Sequence, residues 1–242
     1  MREFELVLPC YNESKSLQIL IERAVNAAKQ AGYDSTSFQL VIVENGSLDN
    51  STEVLLQLEK TELAPWFRKV IIAKNQGYGY GVFQGLKNTQ APIIGWSHAD
   101  QQCDPKDAFI AINKLKASGL SNILVKGERT GRNWKDQTVS TVFETLAFLI
   151  LGIKIRELNA QPKIFSRELL EKLPTPPPNF AFDLYVLFCA LKNRYTLQTI
   201  PVLFPPRIHG VSNWASNFAG RYKTIWGMVK YMYQLSLRQG RI

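Results

Sequence analysis

Cysteine is scarce, apolar runs are short, and acid is missing from the end of the chain; each shortage removes a class of protein. The three cysteines among 242 residues, Cys10, Cys103 and Cys189, are odd in number, and none has a second cysteine at C-x-x-C spacing. That excludes a disulfide framework and a structural zinc site, and predicts a reducing, cytoplasmic setting. Near the N-terminus the charged pair Arg2 and Glu3 precedes only a short apolar-leaning run, Phe4 to Pro9. Such a run is too short for the hydrophobic region of a signal peptide, so export by that route is not expected. No stretch reaches the roughly 18 apolar residues that span a bilayer; the nearest approach is Leu146 to Ile153. No internal repeat is visible, and a hydrophobic content of 45% is ample for one buried α/β core.

Acid is unevenly placed. Residues 1 to 121 carry 12 Lys and Arg against 13 Asp and Glu, whereas residues 122 to 242 carry 17 against 7. The formal net charge of +9 therefore belongs entirely to the second half, and beyond Asp183 there is no acidic residue at all. A one-sided basic segment calls for an anionic partner: nucleic acid, phospholipid headgroups or a phosphorylated substrate. A solvated basic tail that keeps the protein soluble is the plain alternative.

In the first half, strand-like runs alternate with helical ones, the pattern of a parallel sheet with crossover helices. Strands are predicted at Phe4 to Pro9, Gln39 to Val43, Val70 to Ala73, Ile93 to Ser97 and Ile123 to Lys126. Between them, Leu17, Leu20, Ile21, Ala24, Val25 and Ala28 recur at helical spacing. Leu48 to Lys60 reads as a second helix, with Asp49 or Asn50 as N-cap and an Asn50–Glu53 capping box. A short helix is predicted near Val82 to Lys87, and another from Pro105 to Ala117. The second half is less regular: a helix from about Gln137 to Leu151, a strand near Lys163 to Phe165, prolines from 174 to 178, a helix over Tyr185 to Leu191, and a strand over Thr199 to Phe204. The last segment places Trp214, Phe218, Tyr222, Ile225, Trp226, Val229, Met232 and Tyr233 on one amphipathic helical stripe among lysines and arginines. Such a helix could lie in a membrane interface or pack on its own domain.

Ligands of open α/β sheets bind beyond the carboxyl ends of the strands, so polar clusters there carry weight. Three are present: Pro9-Cys10-Tyr11-Asn12-Glu13, Glu44-Asn45-Gly46-Ser47-Leu48-Asp49 and His98-Ala99-Asp100-Gln101-Gln102. An aromatic ring and carboxylates in adjoining loops suit stacking on a base and hydrogen bonding to base and ribose. Asp100 and Gln102, two residues apart, would point the same way in an extended segment and suit a hard cation such as Mg2+ or Mn2+ bridging phosphates. The glycine-rich run Asn75 to Gly81 is not a dinucleotide fingerprint: Val82 and Gln84 occupy the third glycine positions. Its glycines instead allow close backbone approach to a sugar diphosphate.

These loops, in this order, resemble the family 2 glycosyltransferases of the GT-A fold, particularly the polyprenyl-phosphate group of dolichyl-phosphate mannosyl- and glucosyltransferases. The resemblance runs over roughly residues 4 to 214. It implies a Rossmann-like, mostly parallel sheet flanked by helices: a catalytic domain over residues 1–213, with a donor half (1–121) and an acceptor half (122–213), then a helical tail over 214–242. It also implies a nucleotide-sugar site of Pro9, Tyr11, Glu13, Glu44, Asn45, Gly77, Ala99 and Asp100, with Asp100 and Gln102 holding Mg2+ or Mn2+. Gly127-Glu128-Arg129 is similar to the G-x-R stretch, Glu157 to Lys163 to the acceptor-side motif, and Arg207 to Ser212 to R-x-x-G-x-S. Arg129, Glu157, Lys163, Arg207 and Ser212 are thereby implied on the acceptor side, the cations meeting phosphate oxygens. The chain departs from the pattern at His98, where an aspartate is expected, and at Glu157, Gln161-Pro162 and Asn213.

The activity so implied is inverting transfer of a hexosyl or N-acetylhexosaminyl group from a UDP- or GDP-sugar to a polyprenyl phosphate at the membrane surface, catalysed through Asp100, Arg129, Lys163 and Asp183. The cytoplasmic membrane face is the expected location, with peripheral contact with anionic membrane and no nucleic-acid partner. A glycan hydroxyl as acceptor would need a carboxylate base, for which Asp183 or Glu157 are the candidates. A non-catalytic nucleotide- or anionic-lipid-binding module is the alternative from another class. Nucleotidyl transfer is disfavoured, because the loop after the first strand, Cys10 to Glu13, has no glycine.

Overall fold

The computed structural model describes residues 2–99, 102–119, 121–131, 134–205 and 218–237. Strand β1 (Phe4–Cys10) is followed by helix α1 (Leu17–Gln30), β2 (Phe38–Asn45) and α2 (Ser51–Leu58). Then come β3 (Phe67–Ile72), α3 (Tyr78–Lys87), β4 (Ile93–Trp96), α4 (Lys106–Ala117) and β5 (Ile123–Thr130). The remainder is α5 (Trp134–Leu151), β6 (Lys163–Ser166), α6 (Phe182–Lys192), β7 (Thr196–Leu203) and α7 (Phe218–Leu237). The strands form one sheet in the order β3-β2-β1-β4-β6-β5-β7. β1 pairs in parallel with β2 and β4, β2 with β3, and β5 with β7, while β6 runs antiparallel between β4 and β5.

The central strands are apolar on both faces, as covering a sheet with helices on both sides requires. In β1, Leu6 and Leu8 enter the layer beneath α1 and α4, and Val7 enters the layer beneath α3 and α6. Four rings, Phe4, Tyr33, Phe38 and Phe109, close the first layer with centroid separations of 5.1–6.4 Å. In the second, Trp96 meets Phe165 and Phe182 edge-on at 5.9 and 5.4 Å. Helix α3 lies close against the sheet because Gly85 has no side chain: a Cβ there would stand 2.3 Å from Val7 Cγ1 and 2.7 Å from Val43 Cγ2.

Several predicted elements shift. Helix α3 starts at Tyr78 rather than near Val82, because Gly77 takes a φ of +110° and turns the chain into the helix there. The Asn50–Glu53 capping box is not made. Instead Asp49 accepts from Ser51 N at 3.0 Å and from Ser14 N at 3.0 Å, tying α2 to the loop after β1. The single aromatic stripe of the last helix is also divided. Met228, Met232 and Leu235 are its buried face and pack in one cluster with Ala147 and Leu151 of α5, whereas Trp226 and Tyr233 are exposed. Trp214 lies outside the described residues.

At the start of β1, the end of the strand away from the loop that follows it, the carboxylate of Glu5 is buried. It accepts from Arg68 Nη2 at 3.0 Å, Ala91 N at 2.8 Å and Gln90 N, and so fastens β1 to β3 and to the turn before β4. Glu5→Ala leaves two backbone donors without this acceptor, and is expected to lower unfolding stability by about 2–3 kcal/mol in urea titration. Glu3→Ala, whose pair with Lys116 is largely exposed, should change it by less than about 0.5 kcal/mol.

Candidate functional site

The loops that follow β1, β2 and β3 are stitched to each other by backbone-to-side-chain hydrogen bonds. Asn12 N donates to Ser47 Oγ at 3.0 Å while Asn12 Oδ1 accepts from Leu48 N at 2.8 Å. Glu13 N donates to Ser51 Oγ at 3.1 Å. Asn12 sits at a φ of +58°, a left-handed conformation that asparagine tolerates. Glu44, nearly buried, turns back to accept from Ser47 N at 2.6 Å, and Asn45 Nδ2 donates to Gly77 O at 3.1 Å. The third loop leans on the segment before α6: Tyr80 N donates to Pro178 O at 3.0 Å, and a Cβ on Gly77 would collide with that same carbonyl.

The nucleotide-sugar residues named from sequence thus gather at one sheet edge. Pro9, Tyr11 and Glu13 are half-buried there, Glu44, Asn45 and Ala99 are buried, and Gly77 is the turn into α3. Glu44 and Asn45 are committed to shaping the loops. Among the described residues, however, buried Asn45 Oδ1 has no hydrogen-bond partner, and it is an acceptor of the kind a nucleobase N–H could use. Asp100, Arg207 and Ser212 lie outside the described residues. Among the described residues no group of three His, Cys, Asp or Glu side chains converges as a metal site. The residues expected from sequence to hold a cation are Asp100 and Gln102. The latter's amide nitrogen donates to Pro205 O at 2.9 Å; an amide offers a hard cation only its oxygen. The His98 ring tilts against Tyr78, with centroids 5.7 Å apart.

On the other side of β4 the sequence-named residues form a buried network. Lys163 and Asp183, both almost fully buried, are ion-paired. Gln161 Nε2 donates to Asp183 Oδ1 at 2.8 Å and to Tyr78 Oη at 3.3 Å. Trp96 Nε1 donates to the same Tyr78 oxygen at 3.0 Å, and Lys163 Nζ also reaches Ala160 O at 3.1 Å. Burial, and then the nearby Asp183 charge, push the Tyr78 phenol well above its ordinary range, so it stays protonated and can donate to that carboxylate. Burial pulls the Lys163 ammonium down, with Asp183 opposing the pull.

Arg129, at the end of β5, is ion-paired through Nε with buried Glu157, and its guanidinium lies over Phe204 at 5.4 Å. Glu157 holds a φ of +50°, and its N–H donates to Glu144 Oε1 of α5 at 2.7 Å. Arg129, Glu157, Lys163 and Asp183 are therefore brought together, but as two ion pairs and not as four free groups.

Tyr78, Trp96, Gln161 and Lys126 were not among the site residues named from sequence. Gln161 stands out in the sequence only as a departure from the family pattern, and the position of Tyr78 inside a glycine-rich run hides it. Lys126 is directly opposite Lys163 in the β5–β6 register and is nearly fully buried. Its Nζ donates to Gly127 O at 2.7 Å. Burial, with the Lys163 charge next, lowers its pKa to about 7.

The sign of the consequence is fixed. Above pH 7 the unfolded chain binds this proton and the folded chain does not, so stability rises with pH until the unfolded pKa, near 10.5, is passed. Lys126→Met should flatten that rise, which for one proton approaches about 1.4 kcal/mol per pH unit. Urea titrations at pH 7, 8 and 9 read it directly, and parallel slopes for both proteins would contradict the assignment.

Comparison with known proteins agrees with this geometry. The dolichyl-phosphate beta-glucosyltransferase of Saccharomyces cerevisiae is 26% identical over 220 residues, 81% of this chain and 65% of that protein. The undecaprenyl-phosphate 4-deoxy-4-formamido-L-arabinose transferase of Photorhabdus laumondii is 24% identical over 178 residues, 72% of this chain and 52% of that protein. The chain thus spans between half and two thirds of the length of these relatives. Among solved structures, glucosyl-3-phosphoglycerate synthase from Mycobacterium tuberculosis, in complex with Mn2+, UDP and glucosyl-3-phosphoglycerate, superposes with a TM-score of 0.68 at 18% identity. It covers 98% of this chain and 79% of its own. The same enzyme has also been solved with Mg2+ and UDP, at a TM-score of 0.66 and 17% identity, covering 98% of this chain and 78% of its own. That likeness establishes the GT-A type of fold. The model of the glycosyl transferase family 2 matches residues 5–174, and with three loops closed on one sheet edge the chain belongs to that family.

Proposed function

We propose that this chain is an inverting glycosyltransferase that moves a hexosyl group from a nucleoside-diphosphate sugar to a polyprenyl phosphate. The donor half is residues 1–121 and the acceptor half residues 122–213. The S. cerevisiae and P. laumondii relatives are named for a dolichyl and an undecaprenyl phosphate, and the structural neighbour holds UDP with Mn2+ or Mg2+. That likeness supports a divalent cation and, of the UDP and GDP donors, favours UDP. The cation, held by Asp100 and Gln102, would neutralise charge on the departing diphosphate.

The observation that favours a phosphate acceptor is the engagement of the two carboxylates. A sugar hydroxyl must lose a proton to a base within about 3 Å. Asp183 is occupied by Lys163 and Gln161, and Glu157 by Arg129. Neither is placed to take that proton. A phosphate monoester, with a second pKa near 6, arrives already ionised and needs no base. Only Nε of Arg129 is used among the described contacts, and the fork of a guanidinium offers further N–H donors to a phosphate. No described helix is long and apolar enough to cross a membrane. The exposed Trp226, Tyr233 and Leu237 of α7 support peripheral contact at the bilayer surface.

The test is nucleotide release. Purified protein, incubated with UDP- or GDP-hexoses, is expected to release nucleoside diphosphate only when a polyprenyl phosphate and Mg2+ or Mn2+ are both present. Asp100→Ala should reduce the rate at least about a hundredfold. Arg129→Ala should mainly raise KM for the acceptor. Transfer to a glycan hydroxyl but not to a lipid phosphate would overturn the acceptor assignment.

A further inference from the structure

Helix α5 exposes a stripe without charge. Thr141, Val142, Thr145, Phe148 and Leu149 recur at helical spacing and are all exposed, Val142 by 51%, Phe148 by 56% and Leu149 by 70%. An exposed helix face normally carries charged side chains. The threonines add little polarity, because their hydroxyls are turned back to the helix. Thr141 Oγ1 donates to Gln137 O at 3.0 Å and Thr145 Oγ1 to Thr141 O at 2.8 Å. Satisfied in this way, they present methyl groups outward. Gln137, Thr138, Thr141, Val142, Thr145 and Leu146 line a cavity of about 340 Å³, and this described part of the wall comes from α5 alone.

The helix that carries the groove also borders the acceptor side of the site. The neighbouring flank of α5, through Ser140 and Phe143, lines a small cavity together with Arg129, Leu158 and Asn159. One helix therefore has a cation-lined cavity on one flank and an uncharged groove on the next. A ligand with an anionic head and a long hydrocarbon tail matches that succession. From Thr138 to Leu149 the stripe runs about 16 Å at 1.5 Å per residue, room for several prenyl units.

Resting on the lipid-phosphate reading above, we propose that this groove of α5 seats the head-proximal part of the polyprenyl tail while Arg129 meets its phosphate. Apolar burial scales with contact area, so each seated prenyl unit adds affinity and long chains are preferred over short ones. The stripe is then a chain-length selector, and it predicts that the preference can be removed without touching the chemistry.

The experiment compares two acceptors with the same head, undecaprenyl phosphate and the ten-carbon citronellyl phosphate, in one detergent. Phe148→Asp and Leu149→Asp change exposed positions at the far end of the stripe, about 12 Å or more along the helix from Ser140 and so beyond the two prenyl units of the short acceptor, and should fold normally, which a melting curve checks. The expected result is a fall of at least tenfold in the ratio of kcat/KM for the long over the short acceptor, with the short-acceptor value within twofold of wild type. An unchanged ratio overturns the proposal. Independently of turnover, a polyprenyl phosphate with a photoreactive group in its first prenyl units should cross-link peptides from residues 137–149. Labelling confined to residues 218–237 would place the tail elsewhere and overturn the proposal. A protein that cross-links at α5 but transfers sugar to neither acceptor keeps the groove and loses the functional reading. The two failures are therefore distinguishable.

Discussion

The arrangement of the site depends on one buried carboxylate. Asp183, in the first turn of α6, takes the ammonium of Lys163 from β6 and the amide of Gln161, with the Tyr78 phenol beside it. Tyr78 opens α3 and so carries the loop after β3, while Lys163 and Gln161 belong to the segment entering β6. A single charge in the interior thus fastens the segment assigned to the donor to the one assigned to the acceptor. Two charges out of water are expensive, and removing either partner of such a pair costs roughly 3–5 kcal/mol. The indole N–H of Trp96 and the Lys163 ammonium lying 5.3 Å over the same ring complete the polar lining of an otherwise aromatic layer.

Most of the parallel half was legible in the sequence, because buried parallel strands announce themselves as apolar runs separated by helices of period 3.6. Phe4 to Pro9, Gln39 to Val43 and Ile93 to Ser97 all became strands at nearly those bounds. Direction and register of β6 were not legible. Lys163 to Phe165 is short, and whether a strand runs parallel or antiparallel is decided by partners distant in sequence, here β4 and β5. The start of α3 was missed because a glycine run is a poor helix on propensity. Tertiary contact overrides that: Gly79, Gly81 and Gly85 are the places where α3 touches the segment before α6, Asn45 and the sheet.

The site was legible as a set of loops but not as a set of contacts. Sequence placed Glu44, Asn45, Arg129, Lys163 and Asp183 as working groups. Their partners reveal a division: Glu44 and Asn45 shape the loop edge, Asp183 holds Lys163, and Glu157 holds Arg129. A pattern of residue types cannot distinguish a carboxylate that acts from one that positions, because the difference lies in which donors surround it. Gln161 makes the same point: in the sequence it was a substitution, and in the fold it bridges Asp183 and Tyr78.

The departure at His98 has a physical setting in the same network. Its ring faces Tyr78, which is stacked on Phe180 with centroids 5.2 Å apart and planes 16° apart. An aspartate at this position would bring a second carboxylate toward a phenol already raised by burial and by Asp183, and the two carboxylates would disfavour each other's ionised form. An imidazole brings no negative charge and adds a ring to an aromatic row. Tyr78 is held as a neutral donor to Asp183 by burial and by that carboxylate itself, and without an acid at position 98 the proposed cation is left to depend on Asp100 and the Gln102 amide. Fewer anionic ligands make for a weaker hold on a hard ion. The diphosphate of the proposed donor would then supply part of the coordination itself, with metal and nucleotide binding as a pair.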